Sequence, residues 1–237
     1  MPSGRGAGGG ASSAPVTDAR PFVAMGANLR GRPQALLVVL PILLGLVAAV
    51  LSWSWRNAAP RHVSPPPVLG TVPPFQFIDQ DGRPVTLALL RGRITICQMI
   101  YSRCTTICPL LLGRFAELDQ NFRRSTRLQL LSLSTDPAVD QPPVLAGLRR
   151  RYEGSPHWVF VTGAPAEVAR FAANTFGTAP HLEGERLRAA ATGTPTFVLV
   201  DEEGQIRRKY PGLDAEVVPA ILDDVGTLLR AERSSTR

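Results

Sequence analysis

Runs of apolar residues alternate with amphipathic segments along the C-terminal two thirds of this chain. The two most continuous runs, residues 94–101 and 128–133, contain no charged side chain, which is typical of central strands covered on both faces. Segments with apolar residues at helical spacing follow both runs. This alternation predicts an α/β domain in which helices flank a mixed sheet.

Turn and cap residues delimit the predicted elements. Pro109 opens a helix, because proline is favoured in the first helical turn. Gly177 ends another helix, and Asp214 is a suitable cap for the last one. The predicted strands are residues 75–78, 85–87, 94–101, 128–133, 158–162, 197–201 and 205–210, and the predicted helices are 109–122, 144–152, 165–176 and 214–229. Residues 178–191 are expected to form an irregular stretch.

An uncharged stretch of 23 residues lies between Arg32 and Arg56. Because a membrane-spanning helix needs about 20 apolar residues, this stretch predicts a transmembrane anchor at residues 35–55. Trp53 and Trp55 are typical of the aromatic residues that lie at a membrane interface. The apolar core of a cleaved signal peptide is shorter, about 7–15 residues, so we expect the anchor to be retained.

The predicted anchor divides the chain into segments. A weak positive-inside bias makes residues 1–34 a cytoplasmic arm, with an organelle transit peptide as the alternative. Residues 56–74 are rich in proline and are expected to form an extended spacer. Residues 75–230 form the folded domain, and residues 231–237 form a tail. We therefore expect a single-pass protein of the bacterial inner membrane whose domain lies in the periplasm.

The net charge of +7 is concentrated in the arm. Residues 1–70 contain six Arg and one Asp, whereas residues 71–237 contain 20 basic and 18 acidic side chains. The folded domain is thus nearly neutral, which argues against nucleic acid as a partner.

The three cysteines lie in one region of the chain. Cys104 and Cys108 stand between a buried strand and the start of a helix, where free N–H groups and the helix dipole stabilise a thiolate. Such a pair can close a disulfide or hold Cu(I), which prefers soft sulfur ligands. Two core cysteines and a structural zinc site are the alternatives, but zinc would need further ligands at the usual spacing. Cys97 lies inside an apolar strand and is expected to be buried and inert.

Several motifs resemble the Sco (SenC-type) family of membrane-anchored copper chaperones, which help to assemble the copper centre of cytochrome c oxidase. The similarity covers nearly all of residues 71–229 and is carried by residues 77–82 (FIDQDG), 101–109 (YSRCTTICP), 131–137 (LSLSTDP), Asp140 and 161–163 (VTG). The resemblance implies a thioredoxin-like fold, copper binding by Cys104 and Cys108, and cycling of this pair between dithiol and disulfide. It also places Asp136 near the site, although an aspartate before a proline is an ordinary turn residue as well.

One position departs from this resemblance. The family's third copper ligand is a histidine just before the penultimate strand, where this chain has Gly193. Residues 192–196 (TGTPT) instead resemble the cis-proline loop of thioredoxins, which implies a cis bond before Pro195 and a role for Pro195 in shaping the surface for a partner's disulfide. His181 is the candidate substitute ligand. Without it, the two thiolates would favour Cu(I) over Cu(II).

Two functions remain open for this site. The first is a metallochaperone that delivers copper to cytochrome c oxidase, or reduces its copper-site cysteines, with the copper-bearing subunit as partner. The second is a membrane-anchored thiol-disulfide oxidoreductase that acts on extracytoplasmic cysteine-containing proteins. Thiol peroxidases share the spacing of Thr105 and Cys108 but have a proline where this chain has Tyr101, so this class ranks third.

Overall fold

The computed structural model describes residues 33–57, 64–179, 182 and 184–235. The chain divides into two compact units, Met1–Arg61 and His62–Arg237. In the first unit, helix α1 runs over Pro33–Asn57 and contains Pro41. The residues of the predicted transmembrane anchor, 35–55, are thus helical, but no helix in the described part of the chain is long and apolar enough to cross a membrane. The transmembrane part of the predicted fold is not confirmed.

The second unit contains an eight-stranded mixed sheet. Its strands are β1 (Gly70–Thr71), β2 (Gln76–Asp79), β3 (Pro84–Thr86), β4 (Ile94–Ile100), β5 (Leu128–Ser134), β6 (Trp158–Thr162), β7 (Thr196–Val200) and β8 (Gln205–Pro211). Their order across the sheet is β1-β8-β7-β4-β5-β6-β2-β3. Strands β4, β5 and β6 run parallel in the centre, and all other neighbours pair antiparallel. The prediction of an α/β mixed sheet is confirmed.

Helices cover both faces of this sheet. They are α2 (Cys108–Phe122), α3 (Pro142–Arg151), α4 (Pro165–Phe176), α5 (Gly184–Gly193) and α6 (Val217–Ser235), with a short 3-10 helix at Leu87–Leu89. Helices α2, α3 and α6 contribute to the apolar core on one face. Helices α4 and α5 and the 3-10 helix contribute to a second core on the other face.

The position of strand β4 between the two apolar cores explains why its sequence is almost continuously apolar. All seven of its residues are buried. Ile94, Ile96 and Ile100 belong to the first core, whereas Cys97 and Met99 belong to the second. Because side chains alternate across a strand, a strand covered on both faces needs apolar residues at successive positions.

The sheet begins before residue 75, the predicted start of the domain. Strand β1 (Gly70–Thr71) lies in the predicted spacer and pairs with β8. Pro66 and Val72 are buried. The carbonyl oxygen of Pro66 accepts a hydrogen bond from Arg207 Nε at 2.7 Å. A strand of two residues is too short to show the alternation of apolar and polar residues by which a strand is recognised in a sequence. The predicted spacer therefore included residues that belong to the folded unit.

Residues 178–191, which were expected to be irregular, contain most of helix α5. Glu185 lies in its first turn, where an acidic side chain is favourable. Leu187 and Ala191 are its buried residues, one turn apart on the same face. The expectation is wrong here because two buried residues, one of them a small alanine, give only a weak amphipathic pattern.

Candidate functional site

The Cys pair lies where the central parallel strands end. Strand β4 ends at Ile100, and after a loop helix α2 begins at Cys108, with Pro109 in its first turn. Strand β5 runs beside β4, and Thr135, just after β5, donates its N–H to the carbonyl oxygen of Ile100 at 2.8 Å. Because the carboxyl ends of parallel strands meet at one edge of a sheet, the residues that follow β4 and β5 come together.

The sulfur of Cys104 contacts the start of helix α2. The backbone N–H of Cys108 donates to Sγ of Cys104 at 3.3 Å, and the Thr106 hydroxyl lies 3.9 Å from the same sulfur. Ile107 provides no side-chain cap, so this sulfur satisfies an N–H group that has no partner within the helix. Both thiols are free and buried, with 7% of Cys104 and 2% of Cys108 exposed. The spacing of four residues thus brings the two cysteines together.

The two thiols differ in acidity. Burial opposes ionisation of Cys104, but hydrogen bonds from Cys108 and Thr106 outweigh burial and lower the pKa of Cys104 below its ordinary value. Burial, followed by the hydrogen bond to Cys104, raises the pKa of Cys108 to about 12. The first thiolate therefore forms at Cys104, while Cys108 keeps its proton and stabilises that sulfur as a donor.

Asp136 follows β5 and is held by two arginines. Its buried carboxylate accepts hydrogen bonds from Arg103 Nη2 at 2.7 Å and from Arg188 Nη1 at 3.1 Å. Both contacts are also ion pairs. Arg103 belongs to the loop of the Cys pair and Arg188 to helix α5. The two ion pairs therefore fix this loop and α5 against the end of β5.

Asp140 holds the same loop through its backbone. Its carboxylate accepts the N–H of Ser102 at 3.1 Å and the hydroxyl of Ser134 at 2.6 Å. The Ser134 oxygen accepts in turn the N–H of Asp136 at 3.0 Å. Together with burial, the negative charge of Asp140 contributes to the raised pKa of Cys108. The fully buried Asp140 thus positions the loop and opposes a second thiolate.

Among the described residues, Cys97 and Gly193 do not share the hydrogen bonds of the Cys pair. Cys97 is fully buried in β4 and burial raises its pKa, which confirms the prediction of a buried thiol. His181 lies outside the described residues. Gly193 ends helix α5 with a φ outside the left-handed region, and a Cβ at this position would meet no atom within 4 Å. The backbone at Gly193 therefore has room for a side chain.

Pro195 precedes β7, and its carbonyl oxygen accepts the N–H of Gly212 at 2.7 Å. Every peptide bond of the described residues is trans, so the prediction of a cis bond before Pro195 is wrong. The chain passes from α5 almost directly into β7. No tight turn is needed there to offset the preference for trans, about 0.5–1 kcal/mol before a proline. Pro195 instead lines a cavity of about 360 Å³.

Arg103 and Arg188 belong to the site but were not predicted. Arg103 could have been found as the one formally charged side chain in residues 101–109. Arg188 could not be found in this way. It lies in a segment that was predicted to be irregular but forms helix α5, and its partner Asp136 is 52 residues away in sequence.

Comparison with known proteins decides the family of this chain. The family model described as SCO1/SenC matches residues 66–229. The chain belongs to the SCO1/SenC family. Within the SCO1/SenC family, the SCO1 protein homolog of Bacillus subtilis is 30% identical to it over 158 residues, which are 65% of this chain and 80% of that protein.

Solved structures of SCO1/SenC proteins share the fold. BsSco, described as having a disulfide switch and as a member of the Sco family of cytochrome c oxidase assembly proteins, has a TM-score of 0.61 and 27% identity, covering 70% of this chain and 97% of BsSco. Yeast Sco1 with copper bound has a TM-score of 0.51 and 26% identity, covering 68% of this chain and 94% of the yeast chain. The predicted thioredoxin-like arrangement of a mixed sheet and flanking helices is confirmed.

Within the part of the chain that the structure describes, the metal donors of this SCO1/SenC site are two sulfur atoms. Nowhere in the described ranges do three or more His, Cys, Asp or Glu side chains form a group that could hold a metal ion. Cys104 and Cys108 supply soft donors, and the lowered pKa of Cys104 makes its thiolate easier to form than that of an ordinary cysteine. This donor set fits Cu(I).

Proposed function

We propose that this protein carries copper as its cargo between Cys104 and Cys108 and delivers it to the copper centre of cytochrome c oxidase. The observation that carries the proposal is the contact of the Cys104 sulfur with the N–H of Cys108 at the start of α2. Two relatives support it. Yeast Sco1 has been solved with copper bound, and BsSco is described as belonging to a family of cytochrome c oxidase assembly proteins.

The two thiols contribute differently to copper binding. Cys104 supplies the first thiolate, because its pKa is lowered. Cys108 has to lose its proton before it can act as a second ligand, so loading releases a proton and weakens as the pH falls. Cu(I) is the favoured ion, since Cu(II) prefers nitrogen ligands.

The proposed location is the bacterial inner membrane, with the domain in the periplasm, where it can reach the copper-bearing subunit of the oxidase. The uncharged stretch between Arg32 and Arg56 supports this location. A reporter fused after Arg237 should be active outside the cytoplasm, and activity confined to the cytoplasm would contradict the proposed orientation.

A Cu(I) titration of the reduced full-length chain tests the copper function. In competition with a coloured Cu(I) chelator, we expect one bound ion per chain. Cys104→Ser or Cys108→Ser should each weaken binding by orders of magnitude, because one of two soft donors is lost. Cys97→Ser is the matched control and should leave binding unchanged, since Cys97 is buried in β4. Unchanged binding after loss of Cys104 and Cys108 would overturn the proposal.

A second candidate function is thiol-disulfide exchange, which the unequal acidity of the two cysteines favours. The Cys104 thiolate would attack a disulfide sulfur of a partner, forming a mixed disulfide and releasing one partner thiolate. Cys108 would then lose its proton and attack Cys104, which releases the second partner thiolate. The pair is oxidised to a disulfide, and the partner's disulfide is reduced by two electrons. Cys108→Ser should trap the mixed disulfide if this reaction occurs.

The two functions are compatible on one site. A site made of two cysteines has to be reduced before copper can bind, and reduction of a partner's cysteines prepares that partner to receive copper. The copper titration and the trapping experiment therefore measure separate steps.

A further inference from the structure

An apolar groove lies next to the loop that contains Pro195. It is the cavity of about 360 Å³ described above. Its walls are mainly the side chains of Phe176, Pro195, Tyr210, Pro211 and Leu213, with one lysine, Lys209. A volume of this size accommodates one or two side chains of an extended peptide.

Packing connects this groove to the helix that begins at Cys108. Arg114 on α2 donates hydrogen bonds to the carbonyl oxygens of Gly212 at 2.8 Å and of Leu213 at 3.2 Å. A Cβ on Gly212 would lie 3.0 Å from Cδ2 of Leu111 and 3.1 Å from the carbonyl oxygen of Pro195, so glycine lets this segment approach α2 without displacing its neighbours. Leu111 stands about one turn after Cys108. The groove and the Cys pair are therefore held by the same end of α2.

Among the described residues, Lys209 is the only charged side chain that lines the groove. It is also the only lysine of the chain. Its Nζ lies 3.2 Å from the position of a Cβ on Gly177, at the end of α4. Partial burial lowers the pKa of Lys209, and among the described residues no carboxylate forms an ion pair with it. An ammonium group that loses hydration without a counter-charge favours the binding of an anion.

Two exposed leucines add apolar surface, one next to the Cys pair in sequence and one at the groove. Leu110, two residues after Cys108, is 50% exposed, and Leu213 at the groove is 46% exposed. Large apolar side chains that border a groove are typical of interaction surfaces. Asp214, the acid next to Leu213, is engaged in the turn before α6, where its Oδ1 accepts the N–H of Glu216 at 3.0 Å.

We infer that this groove docks a segment of the partner polypeptide that carries an apolar side chain and a carboxylate close to its reactive cysteines. The apolar side chain enters the groove and the carboxylate pairs with Lys209. This inference rests on the proposed function, because it assumes that the partner presents its cysteines to Cys104. It adds the chemistry by which the partner is recognised.

Two matched peptides test the inference. Each contains one intramolecular disulfide and a leucine, and they differ only in a Glu or a Gln placed two residues from the disulfide. The rate of reduction of each peptide is measured with the reduced full-length chain. The wild-type chain should reduce the Glu peptide about two- to fivefold faster, as expected from one partly exposed ion pair, and 0.5 M salt should diminish the preference.

Variants assign this preference to the groove. Lys209→Met should bring the ratio of the two rates to one, whereas Lys209→Arg should keep it above one. Arg91→Met is the matched control, because Arg91 is an exposed cation that precedes β4 and does not line the groove. It should keep the wild-type ratio. Equal rates for both peptides with the wild-type chain would overturn the docking inference while leaving the exchange reaction intact.

Protection of Lys209 provides a measurement that needs no redox activity. An amine-reactive acetylating reagent is applied to the Cys104→Ser, Cys108→Ser double variant, and mass spectrometry follows the single lysine. The Glu peptide should slow acetylation of Lys209, and the Gln peptide should slow it less. If N-acetylglutamate protects Lys209 as well as the Glu peptide does at equal concentration, the groove binds small carboxylates and the inference is wrong. Absence of protection by either peptide overturns it as well.

Discussion

The difference in acidity between Cys104 and Cys108 predicts a large difference in their rates of alkylation. A thiol with a pKa of about 12, as at Cys108, is ionised to about one part in 10⁴ at pH 8. An ordinary thiol with a pKa of 9.0 is about one tenth ionised at that pH, and the lowered pKa of Cys104 makes Cys104 more so. Because the thiolate is the reacting form, Cys104 should react at least about 10³-fold faster than Cys108.

Limited iodoacetamide treatment of the reduced chain at pH 8, mapped by mass spectrometry, measures both rates. Cys104→Ser is the informative variant. It removes the hydrogen bond and the charge that help to raise the pKa of Cys108, so Cys108 should react faster than in the wild-type chain. Comparable alkylation rates for the two cysteines in the wild-type chain, or faster labelling of Cys108, would contradict the conclusion that the contact at the start of α2 makes Cys104 the more acidic thiol.

Three further predictions concern stability and metal choice. Burial raises the pKa of Cys97, so unfolding releases its proton above pH 8.5, and this thiol alone should cost the fold up to about 1.4 kcal/mol per pH unit there. The raised pKa of Cys108 adds a slope of the same sign, so Cys97→Val should reduce the slope measured by urea denaturation between pH 8.5 and 10.5 by up to about 1.4 kcal/mol per pH unit without abolishing it. Asp119 is buried and accepts hydrogen bonds from the N–H and hydroxyl of Ser155, so Asp119→Ala should cost about 2–4 kcal/mol, against less than about 0.5 kcal/mol for the exposed Glu117→Ala, in urea denaturation at pH 7. Gly193→His should leave the fold intact, because a Cβ there would meet no atom within 4 Å, and it should strengthen Cu(II) binding followed by its visible absorption; no gain in Cu(II) binding would show that Gly193 does not occupy the ligand position.

Local signals in the sequence predicted most of the fold. Strand Trp158–Thr162 and helix Pro165–Phe176 have the predicted bounds, because proline begins the helix and Gly177, with a φ of 82°, ends it in a left-handed conformation. Helix α5 and strand β1 were not predicted. Both are short elements that are stabilised by packing or pairing with distant residues, which leaves little periodicity in their own sequence.

The candidate site was predictable only where its contacts are local. The Cys pair follows from a spacing of four residues at the start of a helix. The ion pairs of Asp136 with Arg103 and Arg188 join residues 33 and 52 positions apart, and only the sheet topology brings them together. The cis bond before Pro195 was predicted from a resemblance in sequence, and it failed because the preceding residues form a helix instead of a loop.

Native mass spectrometry of the copper-treated chain tests the central claim most directly, because it resolves the metal content and the redox state of the same molecules. The reduced chain should bind one copper ion, and the form that is lighter by two hydrogens, with Cys104 and Cys108 joined by a disulfide, should bind none. Copper that remains bound to the disulfide form, or to the double variant without both cysteines, would contradict the assignment of Cys104 and Cys108 as the copper site.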